Sequence, residues 1–280
     1  MKRLAVTVLV LLLGLGALSY PALGNYLAQK NGSQAIQNYD ETIGDLTPQD
    51  IDALWAAAEE YNESLTGTPV HDPFLENSGM ALPDDYFGVL NVRGVMAYLE
   101  IPRIGVHLPI YHGTGEEVLH KGLGHLEGST LPVGGVPRHS VITGHTGLSQ
   151  AKLFTDLREL GEGDMFYVHV LGKILAYRVD QIKVIEPQVG EDLGRFEGHD
   201  YVTLLTCTPY GVNSHRLLVR GERVELDPVL RESIVPARSS IDTLAIMAAG
   251  LTGTVMLTLI IILRVRQRPY VARRAEPEEP

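Results

Sequence analysis

The chain has 280 residues, 45% hydrophobic and 20% charged, enough apolar material for one sizeable packed domain plus accessory segments. Its net charge of −11 argues against a nucleic-acid partner. The single cysteine, Cys207, excludes an intrachain disulfide and any multi-cysteine zinc centre.

From Leu4 to Gln29 there is no charged residue, and Lys2 and Arg3 precede the run. Residues 1–23 therefore read either as a signal peptide, with Ala17, Ser19 and Ala22 near a cleavage region, or as an N-terminal membrane anchor. Residues 24–89 read as a helical extension. Thr47 is a candidate N-cap, Pro48 a first helical residue and Asp50 a first-turn carboxylate. Ile51, Leu54, Trp55, Ala58 and Tyr61 follow at helical spacing and form a stripe suited to packing on a larger domain. Beyond Gly67 comes a proline-rich stretch containing Asp72-Pro73-Phe74. Without periodicity of its own, it must be disordered or lie on something.

From about residue 90 the texture is that of short strands and turns, through residue 232. Strands are expected over 95–101, 106–111 and 140–145, the last ending at His145. Residues 115–134 are glycine-rich and predict a short helical turn, and 152–160 has helix character with Leu153, Leu157 and Leu160 on one face. Residues 165–171 and 174–185 predict a hairpin about Gly172-Lys173. Two further strands run from Tyr201 to Cys207 and from His215 to Val219. Many short strands with brief helices indicate a mostly β fold, a barrel or sandwich.

Residues 243–263 are 21 uncharged residues, which as a helix span about 32 Å and match the hydrocarbon core of a bilayer. Arg264, Arg266, Arg268, Arg273 and Arg274 follow at once and place the tail, 264–280, in the cytoplasm. The segment between the two apolar stretches is then outside. Residues 24–240 carry 16 basic and 30 acidic residues, a net of −14.

An unpaired thiol outside a cell needs a reason, because it oxidises and cross-links. A catalytic cysteine needs a base or imidazolium partner and a group that stabilises developing negative charge. His145, flanked by Gly144 and Gly147, is a candidate base, and Arg216 lies on the strand that follows Cys207. The blander readings are a buried small hydrophobe for Cys207, a surface strand residue for Arg216, and any of ten histidines' ordinary roles for His145. No ligand spacing for a metal stands out, and no cofactor is expected.

Thr203-Leu204-Leu205-Thr206-Cys207 followed by Arg216 resembles the TLxTC…R signature of sortases. Thr143-Gly144-His145 is similar to the sequence around the sortase histidine. Ile101-Pro102-Arg103-Ile104 and Leu108-Pro109-Ile110-Tyr111-His112-Gly113 resemble that family's first two strands. The resemblance implies a closed sortase-type β-barrel and a cysteine transpeptidase with Cys207 as nucleophile, His145 as acid and base, and Arg216 on the substrate backbone or oxyanion. It also implies Thr206 as a substrate-positioning residue. The Asp72-Pro73-Phe74 element and the C-terminal span resemble class C, the pilin-polymerising sortases. That carries over a lid in which Asp72 pairs with Arg216 and Phe74 covers Cys207. The implied partners are the membrane and pilin subunits bearing an LPxTG-like signal and an acceptor lysine. The rival readings are a housekeeping sortase serving the cell wall and a non-catalytic assembly scaffold.

Overall fold

A computed structural model describes residues 2–65, 72–74, 85–148, 150–187 and 191–226, with Gly253 and Met256. The chain divides into two units, residues 1–22 with 240–280, and residues 23–239. In the first, Lys2 to Ala22 is helical, as are Gly253 and Met256. The expected span 243–263 otherwise lies outside the described residues. Among those residues, no helix is long and apolar enough to cross a membrane.

The second unit is built on eight strands: β1 (Ala97–Ile101), β2 (Val106–His112), β3 (Leu123–His125), β4 (Arg138–Thr143), β5 (Met165–Val170), β6 (Lys173–Ile185), β7 (Asp200–Thr208) and β8 (His215–Val224). They close in the order β1-β2-β3-β4-β7-β8-β6-β5, which is the expected barrel and leaves β7 and β8 side by side. Alternation along each strand sends one set of side chains inward. Leu99, Ile101, Ile110, Ile142, Phe166, Val168, Tyr177, Val202, Leu204, Leu217 and Val219 fill the main core. A smaller cluster, Leu126, Val141, Ile185, Leu193, Leu205 and Leu218, uses the opposite set of β4, β7 and β8 and lies on the outer face. Cys207 is two residues from Leu205 and Arg216 is two from Leu218, so both share that outer face.

The first helix, α1, spans Lys2–Asp45 and contains Pro21. Ile36, Tyr39 and Ile43 recur at helical spacing and are buried. The Tyr39 hydroxyl accepts from the Leu171 N–H at 2.8 Å, tying the helix to the turn between β5 and β6. The second helix, α2 (Pro48–Ser64), begins with the capping box that Thr47 and Asp50 mark in the sequence. Its Asn62 side chain clamps one loop residue, donating to the Leu131 carbonyl at 3.2 Å and accepting from the Leu131 N–H at 2.7 Å.

Two expectations change. The stretch 152–160 forms only a 3-10 turn, Leu157–Glu159, because Leu153 has a φ of 36° and stops a helix from starting there. The glycine-rich stretch holds the helix α3 (Glu116–Lys121) and also β3, which is three residues long.

Candidate active site

β4 and β7 are parallel neighbours with Thr143 opposite Leu205. Two residues further along each chain stand His145 and Cys207, at the same level beyond that pair. β7 and β8 are antiparallel, and Cys207 is paired directly with Arg216. Three adjacent strands thus deliver an imidazole, a thiol and a guanidinium in one row at one end of the barrel.

The strand ends are fixed from beneath. Thr206 is only 2% exposed, and its hydroxyl donates to the Gly144 carbonyl at 2.6 Å. The Gly144 N–H donates in turn to the Leu205 carbonyl, and the Phe154 N–H to that of His145. A Cβ at Gly144 would stand 2.7 Å from Leu123 Cδ2 and 2.9 Å from Phe154 Cδ2, so the chain passes here only as glycine. The Thr206 hydroxyl thus bonds the backbone next to His145.

Arg216 is buried, its side chain 5% exposed, and its Nη1 donates to the carbonyls of Asn213 and His215. Its Nε donates to Asp72 Oδ1 at 3.1 Å and lies 2.8 Å from Oδ2. Asp72 Oδ1 also accepts from the Phe74 N–H at 2.9 Å, which closes a tight turn through Pro73. Asp72 Oδ2, equally buried, accepts no hydrogen bond. The Phe74 ring lies 5.5 Å from that of His145 and 5.1 Å from the Arg216 guanidinium, and it packs on the outer apolar cluster. Among the described residues, Phe74 thus meets both groups that flank the thiol.

These surroundings favour neutral forms. Burial pushes the Cys207 thiol up; Arg216 pulls it back and Asp72 pushes it further up. Burial pushes the His145 imidazole down, as does His120, while Glu116 opposes them. Nucleophilic attack needs the thiolate, and protonation of a leaving amine needs the imidazolium. Contact with water would favour both charged forms.

His120 went unnoticed in the sequence. It is exposed on α3, and its ring meets that of His145 edge-on, with centroids 5.5 Å apart. Its place among glycines and glutamates gave no signal, because only the fold brings α3 beside the end of β4. Among the described residues no group of His, Cys, Asp and Glu is arranged to hold a metal ion.

A family model described as a sortase domain matches residues 99–224. Sortase C-1 from Streptococcus pneumoniae is 49% identical with a TM-score of 0.66; the match covers 69% of this chain and all of that one. A pilus-related sortase C of Group B Streptococcus is 43% identical with a TM-score of 0.64, over 68% of this chain and 96% of that one. Sortase A of Bacillus anthracis is 27% identical over 138 residues, 48% of this chain and 62% of the relative. This chain thus spans less than two thirds of the first curated relatives that it matches.

Proposed function

Because this chain belongs to the sortase family of cysteine transpeptidases, in its class C branch, we propose that it joins pilin subunits through a thioacyl-enzyme formed on Cys207. The observation that carries this reading is the row of His145, Cys207 and Arg216 across β4, β7 and β8.

In the first half-reaction the Cys207 sulfur attacks the threonine carbonyl of an LPxTG-like signal. The thiol proton passes to His145 and then to the leaving glycine amine as the peptide bond breaks. Arg216 faces Cys207 across the ladder and is the group suited to hold the developing oxyanion or the substrate backbone. In the second half-reaction a neutral lysine amine of another subunit attacks the thioester. His145 takes a proton from that nitrogen and returns one to the departing sulfur, leaving an isopeptide bond and the free thiol. Thr206 contributes through the His145 loop, by its bond to the Gly144 carbonyl.

Asp72, Pro73 and Phe74 act as a lid. In the closed position Asp72 occupies the guanidinium that substrate needs, and Phe74 lies against the catalytic imidazole. The lid is poised to open. An ion pair held away from water recovers hydration when it separates into solvent, and both side chains of the Asp72–Arg216 pair are buried. The apolar run 243–263 with its arginine cluster holds the domain on the outer face of a membrane.

Mass spectrometry of the full chain with an LPxTG-type peptide tests this. We expect an acyl adduct on Cys207 that is absent in Cys207→Ala and forms faster in Asp72→Ala and Phe74→Ala. An adduct indifferent to the last two changes removes the lid and keeps the transpeptidase. No adduct in any variant, lid changes included, removes LPxTG-type acylation. A pilin lysine failing as acceptor where a cell-wall precursor succeeds moves the assignment to cell-wall anchoring.

A further inference from the structure

Among the described residues, the catalytic imidazole has two ring neighbours. Phe74 packs at 5.5 Å with an interplanar angle of 43°, and His120 at 5.5 Å and 71°. Phe74 belongs to the segment that must leave before substrate can reach Arg216. His120 belongs to α3, which is tied to β3 by the turn at Gly122 and whose Leu119 is buried. Once the lid has opened, His120 is the ring that still borders His145. We infer that His120 is a positioning residue for the transpeptidase reaction, orienting the His145 ring in the open enzyme and setting the pH at which it takes up a proton. This rests on the proposed Cys207–His145 chemistry and extends it to a second imidazole.

The tautomer of His120 follows from its surroundings. Its Nδ1 lies 2.9 Å from the Glu116 carbonyl oxygen, which only accepts, so Nδ1 carries a hydrogen. The neutral ring then presents its lone pair on Nε2, and the next proton that His120 takes up goes there. A positive charge on His120 opposes a second one on His145, and Glu116 favours it. Glu117 and Lys121 are the other charged side chains of α3, with Lys121 engaged over the Tyr111 ring at 4.1 Å. Cys207 and Arg216 face the site from β7 and β8. An edge-on ring supplies orientation and a charged ring supplies repulsion, so the two contributions separate by substitution. Phe at position 120 keeps the ring and removes the charge; Gln removes both.

The experiment compares wild type, His120→Phe and His120→Gln in the full chain. Acyl-adduct formation with an LPxTG-type peptide is followed from pH 5 to 9, and the His145 ring is titrated by NMR. Loss of the opposing charge lets His145 hold its proton to higher pH. Both variants should therefore move the acid limb of adduct formation, and the His145 midpoint, upward by about half a unit or more. Above that limb His120→Phe should acylate at the wild-type rate or faster. His120→Gln should be several-fold slower in kcat with KM little changed. Profiles and midpoints that coincide with wild type overturn the inference, and the wild-type adduct leaves the transpeptidase reading standing. A kcat loss shared by His120→Phe and His120→Gln, with unshifted midpoints, also overturns it, since that is what a purely structural role for α3 would give. If wild type forms no adduct, the acylation reading fails by itself, and the NMR midpoint of His145 alone decides whether His120 governs its proton.

Discussion

The carboxylate of Asp72 acts on the Cys207 thiol in two ways. Its own charge disfavours the thiolate, and it engages Arg216, the cation that would favour it. Substituting Asp72 by Asn keeps the shape and removes the charge. The sign follows directly: with less negative charge nearby the thiolate is stabilised, the thiol titrates at lower pH, and more thiolate exists at neutral pH. Alkylation of Cys207 by iodoacetamide at pH 7 should speed up about three- to tenfold, with the midpoint of its pH profile moved down by about half to one unit. An unchanged midpoint would mean that Asp72 acts only by steric cover. His145 moves the opposite way on exposure, because burial holds its imidazole below the ordinary range. If the proposed lid opens, the two titrations should draw closer together, and the fraction of enzyme carrying thiolate and imidazolium at once should rise.

The ends of β4 and β7 are joined by the Gly144 N–H to the Leu205 carbonyl and by the Thr206 hydroxyl to the Gly144 carbonyl. Thr206→Val keeps the shape of the side chain and removes that bond, so the His145 loop loosens while the barrel core stays filled. We expect a loss of roughly tenfold or more in kcat, with Thr206→Ser restoring most of it; equal activity in all three would sink the role. Gly144→Ala forces a methyl against Leu123 and Phe154 and should cost about 1–3 kcal/mol in denaturant unfolding along with activity. The legibility of the fold follows the same division. β1, β2, β4 and the β5–β6 hairpin could be read because their alternation is long enough to count, and α2 because its cap is spelled out by Thr47, Pro48 and Asp50. β3 is three residues long, too short for any period to show, and Leu153 to Leu160 imitates a helical stripe while burying its leucines in turns. Cys207 and Arg216 stood out through a local signature, whereas His120 acquires its meaning only from α3 lying next to the end of β4.

Across the whole molecule, acid should weaken the fold through two histidines outside the catalytic row. His125 bonds the Tyr86 hydroxyl and the Thr130 carbonyl, and His139 bonds the Gly194 carbonyl and Thr203. Burial pushes both imidazoles down to about 4. The unfolded chain takes up these protons near pH 6.5 and the folded one only near 4. Stability is therefore full above 6.5 and falls as pH drops between those values, by about 3 kcal/mol for each histidine. Asp200, whose carboxyl burial pushes up, offsets part of this. The urea midpoint should drop markedly between pH 7 and pH 4.5, and a flat profile would contradict the burial of these rings. The order of strands in the barrel carries one more consequence. β8 is the last strand among the described residues, yet it sits between β7 and β6 and brings Arg216 opposite Cys207. Until it inserts, the cylinder is open and the cysteine is an ordinary thiol with no guanidinium beside it. A chain cut short before β8 would have the thiol without its guanidinium, and we expect it to be inert toward the peptides around it.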